Sequence, residues 1–258
     1  MPITDIEVTQ NLQFPSHLTP VQEVMDIHIP GIIDGIPNRN GFIWILSGSG
    51  GSGKTSLMLN FFKTKKKLYR GKFNNIFYIC PMSSFLSVKD HPFAEHEKTY
   101  HELNAEVLEN IFNRLSALKK KSSEDKEDKT PDYNCVIIDD MADALKDKTI
   151  LRVLNTMLIK ARHLNCAFIF TLQSYYYFPK ILRKQITNIT TFKPKNIEEW
   201  NSFTKELLNM KKDDALKLYD FIYDEPYAHL DVDTVSNLYY KNFNKLNFTY
   251  DKQIRQLK

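Results

Sequence analysis

Gly41-Phe-Ile-Trp-Ile-Leu-Ser-Gly-Ser-Gly-Gly-Ser-Gly-Lys-Thr55 is the stretch on which the fold turns. Its first seven residues form an apolar run of strand length, the pattern of a strand buried on both faces. The next eight, Gly48 to Thr55, satisfy G-x-x-x-x-G-K-[ST] in full. Glycines let the main chain wrap closely around an anion and accept positive φ, so that successive N–H groups converge on it. Past Lys54, Leu57, Met58, Phe61 and Phe62 recur at helical spacing. The loop therefore joins a buried strand to an amphipathic helix whose positive end faces the same anion. A glycine-rich stretch alone is also what a linker looks like; the flanking elements exclude that reading here. Gly48, Ser49, Gly50, Gly51, Ser52, Gly53, Lys54, Thr55 and Ser56 are accordingly read as holding ATP. Lys54 is expected to reach the β- and γ-phosphates, and Thr55 to offer its hydroxyl to Mg2+.

A second apolar run, Val136-Ile-Ile-Asp-Asp140, ends in two carboxylates. An acid at the end of the strand next to a phosphate loop holds Mg2+ through water, and that role falls to Asp139. Asp140 is the candidate base that orients or deprotonates the attacking water. Two adjacent acids alone would equally well be a strand end or a helix cap. A third run, Ala167-Phe-Ile-Phe-Thr-Leu-Gln-Ser174, turns polar at its carboxyl end, where ligands of open α/β sheets bind. Gln173 is thus placed to sense the γ-phosphate or hold the attacking water, and Thr171 is read as joining it or merely packing. A ring ATPase also needs a cation reaching into a neighbour's site. Arg183 is the first candidate for this finger, with Lys184 and Arg162 behind it; solvated surface charge is the bland reading of all three.

The remaining pattern is that of one α/β domain. Asn75–Cys80 reads as another buried strand, Thr187–Phe192 as a further one, and 227–232 and 238–243 as two late ones. Helices are expected over 103–118, 150–163 and most of 200–223, with an irregular connection over 83–100. Val21–Ile29 is strand or helix. Alternating buried strands and helices predict a mostly parallel central sheet with helices on both faces, carrying the phosphate loop of a P-loop NTPase. The organisation expected is an irregular extension over 1–40, a core over 41–195, and a C-terminal elaboration over 196–258 completing the same domain. Residues 119–130, a mixed charge run, are expected to be a mobile solvated loop.

The chain has 258 residues and a net charge of +4, a mild bias compatible with nucleic acid but not diagnostic of it. Cys80, Cys135 and Cys166 are widely spaced, which argues against a disulfide framework or a zinc site and for buried thiols in a reducing compartment. No run approaches the ~20 apolar residues of a membrane span, so the protein is expected to be soluble and intracellular.

Taken in order, the phosphate loop, the Ile-Ile-Asp-Asp strand, Ala161-Arg-His163, the strand leading to Gln173, Phe178-Pro179, Arg183 and the late Tyr-Tyr-Lys-Asn-Phe243 form a recognisable series. The chain resembles the poxvirus-type genome packaging ATPases of large DNA viruses, within the FtsK–HerA superfamily. The resemblance spans roughly 42–243. It implies a RecA/FtsK-like build and ATP hydrolysis coupled to movement of double-stranded DNA into a preformed viral capsid. It also implies a homo-oligomeric ring, pentamer or hexamer, working in the host cytoplasm or viral factory or with the virion. Asp140 replaces the Glu of related bacterial translocases, and no extra DNA-gripping domain is evident. Lys63, Lys65, Lys66, Lys67, Lys211 and Lys212 are candidate phosphate contacts, or simply solvated helix faces. Tyr175, Tyr176 and Tyr177 either pack or touch DNA in a pore. The competing readings are another P-loop ATPase, such as a helicase or a DNA pump, and a slow nucleotide-dependent switch or adaptor.

Overall fold

Along β1 (Ile43–Ser47) the side chains alternate between two apolar layers: Ile43 and Ile45 enter one, Trp44 and Leu46 the other. A strand with both faces apolar requires a cover on each, and the chain supplies both. Helix α1 (Lys54–Lys63) closes one layer with Met58, Leu59, Phe61 and Phe62. The other is closed by α3 (Ala105–Glu124) through Leu108, Ile111 and Leu115, and by α4 (Lys148–Ile159) through Ile150, Val153, Leu154 and Met157. The computed structural model describes residues 27–64, 68–124 and 131–248.

Eight further strands complete one sheet: β2 (Asn75–Ile79), β3 (Thr99–Tyr100), β4 (Asn134–Asp139), β5 (Cys166–Leu172), β6 (Asn188–Phe192), β7 (His229–Asp233), β8 (Leu238–Lys241) and β9 (Asn244–Lys245). Their order is β3-β2-β4-β5-β1-β6-β7-β8-β9. The first six are parallel; β7, β8 and β9 continue the sheet antiparallel. The mostly parallel sheet with helices on both faces is as expected. One adjacency is not. The strand ending in Asp139 is not next to β1, because β5 runs between them. The carboxyl end of β5, with Gln173 just beyond it, therefore emerges between the phosphate loop and the acidic pair.

The late helical region is α6 (Ile197–Phe203), a π-helical turn (Thr204–Leu208) and α7 (Lys212–Ile222), which bury Trp200, Phe203, Leu218 and Ile222 on the α3/α4 side. Several boundaries differ from expectation, the late strands among them at His229–Asp233 and Leu238–Lys241. Helix α3 continues to Glu124, so 119–124 extend it instead of opening a loop; Lys119, Lys120 and Lys121 are good helix formers and suit its negative end. Helix α4 is capped by Asp147, whose carboxylate accepts from the N–H groups of Thr149 and Ile150, and stops at Ile159, leaving Arg162 and His163 in a turn. The connection over 83–100 contains a short helix, α2 (Met82–Leu86), and β3. The closing aromatic Phe243 packs edge-on against Trp44 and Phe61, tying the last strands to the phosphate-loop strand and helix. Residues 1–26, Lys65, Lys66, Lys67 and 125–130, on which some expectations rest, lie outside the described residues.

Candidate nucleotide and metal site

The loop from Gly48 to Gly53 joins β1 to α1 at the carboxyl edge of the sheet, as the sequence predicts. Gly53 is the N-cap of α1 with φ 98°, a left-handed conformation that a side chain would strain. Gly48 is needed for a different reason: a Cβ there would lie 2.7 Å from Ser52 Oγ and 2.8 Å from the Phe192 Cβ. The curl is therefore tight inside and open outside, with nothing within 4 Å of a Cβ placed on Gly50 or Gly51. Ser52 Oγ is buried in it with no hydrogen-bond partner, a polar atom inside an anion-sized curl. Lys54 is buried and donates from Nζ to the Ser49 carbonyl at 2.9 Å. Burial lowers its pKa, while Asp140 and Asp139 work in the opposite direction.

Asp139 is the centre of the site. Residues alternate along β4, so Asp139 shares its face with Cys135 and Ile137, the face that α1 covers. Its carboxylate is 1% exposed and is surrounded by hydroxyl donors from three elements. Thr55 Oγ1, in the first turn of α1, donates to Oδ1 at 3.0 Å. Thr171 Oγ1, near the end of β5, donates to the same oxygen. The Tyr78 hydroxyl, on β2, donates to Oδ2 at 2.8 Å. Burial, and next the Asp139 charge, push the Tyr78 pKa well up, so this phenol remains a donor.

Asp140 faces elsewhere. Its φ of 56° is a left-handed value tolerated by Asp better than by most residues, and it turns the second carboxylate out of the layer into which the first points. Thr171 also holds this turn: the Asp140 N–H donates to its Oγ1 at 3.0 Å. Thr171, expected to join the polar group or only pack, thus bonds both acids. Asp140 is exposed, with Ser84 of α2 beside it at 3.5 Å. Gln173 is exposed too, and shares a cleft of about 430 Å³ with Gly48, Ser49, Tyr176, Tyr177 and Lys195. A second cleft, about 550 Å³, lies on the other side of the loop along α1, walled by Gly53, Asn60, Phe192, Tyr227 and His229. Sequence reasoning missed Tyr78, Phe192 and Tyr227; exposed Tyr227, after Glu225-Pro226, was the one with a legible signal.

The structure does not gather the candidate fingers at this site. The Arg183 side chain is only 8% exposed: it makes a 2.9 Å ion pair with Glu206, donates to the Phe178 and Tyr176 carbonyls, and lies over the rings of Tyr175 and Tyr176. The expectation of a surface cation reaching outward meets a side chain engaged within its own chain. Lys184 is exposed at the end of α5 (Lys180–Arg183). Arg162 precedes β5, so a strand of roughly 20 Å separates it from Gln173. Of the tyrosine run, Tyr175 packs in the core while Tyr176 and Tyr177 are exposed. Lys63 ends α1, and Lys211 and Lys212 open α7, exposed.

The donor set suits Mg2+. Among the described residues, no three His, Cys, Asp or Glu side chains cluster into a cage, whereas Mg2+ takes one or two protein oxygens plus phosphates and water. Thr55 uses its one proton toward Asp139, which leaves its oxygen lone pairs free for a cation. Also among the described residues, no helix is long and apolar enough to cross a membrane. A phosphate loop after β1, an acid at the end of β4 and a polar strand end between them define a P-loop nucleotide-binding fold.

Comparison with known proteins narrows this class. Residues 38–242 match the family described as Poxvirus A32 protein, and the chain belongs to that family. It is 27% identical over 183 residues to the DNA packaging protein OPG160 of Monkeypox virus, covering 70% of this chain and 57% of the relative. The Vaccinia virus (strain Copenhagen) counterpart matches at the same identity, with 64% of its length covered. The chain thus spans less than two thirds of these relatives. Among solved structures, B204, the DNA-packaging ATPase from Sulfolobus Turreted Icosahedral Virus, superposes with a TM-score of 0.56 at 19% identity, over 78% of this chain and 96% of that one. EssC (ATPases 2 and 3) from Geobacillus thermodenitrificans superposes at 0.56 with 15% identity, over 84% and 42%. At these identities the likeness is one of fold.

Proposed function

We propose that this chain is an ATP-hydrolysing motor that moves double-stranded viral DNA into a preformed capsid, acting as a ring of identical subunits, pentamer or hexamer. The observation that carries the ATPase reading is the 3.0 Å contact between Thr55 of the phosphate loop and Asp139 from a strand two places away. The DNA and capsid partners, and a place of action in the viral factory, rest on the family and on its DNA packaging relatives.

In this reading the amides of 48–55 cradle the phosphates, and Lys54 exchanges the Ser49 carbonyl for the β- and γ-phosphates. Thr55 and Asp139 hold Mg2+, which when bound supplies positive charge against the triphosphate. Asp140, exposed on the far side of the turn, accepts the proton of the attacking water. Gln173 orients that water and registers loss of the γ-phosphate. The cleft along α1, with Tyr227 and Phe192 in its wall, would take the nucleobase.

The test is hydrolysis by the full chain with and without linear duplex DNA. Strong stimulation by duplex is expected. Stimulation by single strands alone would point to a helicase, and tight nucleotide binding without turnover to a switch or adaptor.

A further inference from the structure

We infer that Tyr78, seated by His91, is the positioning residue that orients the Asp139 carboxylate toward the metal of the bound nucleotide; the inference rests on the metal role proposed for Asp139. Thr55 and Thr171 both donate to Oδ1 of this carboxylate. Two bonds to one oxygen leave the group free to pivot, because the terminal torsion of Asp is soft. The Tyr78 hydroxyl, 2.8 Å from Oδ2, secures the other oxygen from the opposite side. It comes from β2, the strand beyond β4, so the carboxylate is held between two neighbouring strands and α1.

The phenol is itself held. His91 is 7% exposed in the connection between β2 and β3. Its Nδ1 accepts the N–H of Phe93 at 3.1 Å, so in the neutral ring the proton sits on Nε2. Nε2 lies 3.3 Å from the Tyr78 hydroxyl oxygen and donates to it. With that lone pair engaged, the hydroxyl proton is directed to Asp139. The series His91 Nε2–H, Tyr78 O–H, Asp139 Oδ2 has one direction along its length. Phe85 and Phe93 lie tilted against the imidazole, with ring centroids 4.3 and 5.8 Å away. The irregular chain over 83–100 thereby has a function: it returns a histidine beneath the acid of a strand it does not join.

Partners that orient a metal-holding group typically contribute 10–100-fold in metal affinity or activity. The experiment compares wild type, Tyr78→Phe, His91→Leu and His91→Gln. Mn2+ binding to the ATPγS complex is read by electron paramagnetic resonance, ATPγS binding in EDTA by titration calorimetry, and folding by melting. Tyr78→Phe should weaken Mn2+ about 10–100-fold while ATPγS binding without metal stays at the wild-type value. His91→Leu should weaken Mn2+ less. His91→Gln, whose amide supplies a donor near the Nε2 position, should restore it. Were Tyr78→Phe to melt below the assay temperature, the Leu-to-Gln contrast at position 91 decides. Wild-type Mn2+ affinity in both Tyr78→Phe and His91→Leu overturns the inference and leaves the metal role of Asp139 standing. A wild-type complex that binds ATPγS identically with and without Mn2+ overturns both.

Discussion

Replacing Thr171 with Val removes one hydroxyl and keeps the side chain's shape. In the structure that hydroxyl donates to Asp139 Oδ1 and accepts the N–H of Asp140 at 3.0 Å, with Thr171 itself 1% exposed. A hydrogen bond to a charged group contributes about 1.5–3 kcal/mol. The Asp140 N–H lies near solvent and recovers part of its loss through water. Val adds apolar contact, but its methyl faces a buried carboxylate. The net expectation is a loss of about 2–3 kcal/mol, read as a fall of roughly 1 M in the urea midpoint at unchanged slope. Thr171→Ser is the control: it keeps the hydroxyl and removes one buried methyl, worth about 0.8 kcal/mol. The ranking is the decisive point, since hydrophobic burial alone puts Val above Ser and the hydroxyl argument puts Ser above Val. A Val variant as stable as wild type would refute the assignment of Thr171 as a support for the acidic pair.

Asp140→Asn should bind ATPγS as wild type does and lose ATP hydrolysis by about 10²–10⁴-fold; an unchanged rate would exclude it as the base. Gly48→Ala should retain the fold, read by circular dichroism, and weaken nucleotide binding, because the new methyl meets Ser52 Oγ and Phe192 and must open the curl. Arg183→Ala should lower the melting temperature, since it removes an ion pair to Glu206 and two ring contacts. A variant that keeps its melting temperature but loses hydrolysis only when assembled would return Arg183 to the role of finger. The three cysteines are buried and unpaired, and burial, with the Asp139 charge adding to it, raises the Cys80 pKa to about 11. Its thiol therefore stays protonated at pH 8 and gains thiolate only as pH rises toward that value. Native protein should react with a thiol reagent far more slowly than urea-unfolded protein.

Much of the site was legible because it is local in the chain. The phosphate loop is eight consecutive residues, and its glycines answer to backbone requirements that any fold containing it must meet. The buried strands were equally visible, since β1, β4 and β5 are apolar on both faces and nothing but a sandwiching pair of helix layers accommodates that. The acidic pair was recognised by its position at a strand end. Which strand neighbours which was not legible: apolar runs of similar length carry no label for their order, and β5 came to lie between the two motifs that were expected side by side.

The amino-acid sequence by itself determined the class of fold, the tight glycine-rich loop and the two carboxylates at a strand end, because short-range geometry and hydrophobic period dictate each of them. Only the tertiary structure decided that Asp139 turns inward to three hydroxyls while Asp140 turns out, that Arg183 is engaged within its own chain, and that Tyr78 reaches Asp139 with His91 beside it. Those facts depend on side chains far apart in the chain meeting through packing, and a hydrogen bond between β2, β4, β5 and α1 leaves no periodic trace in any one of them.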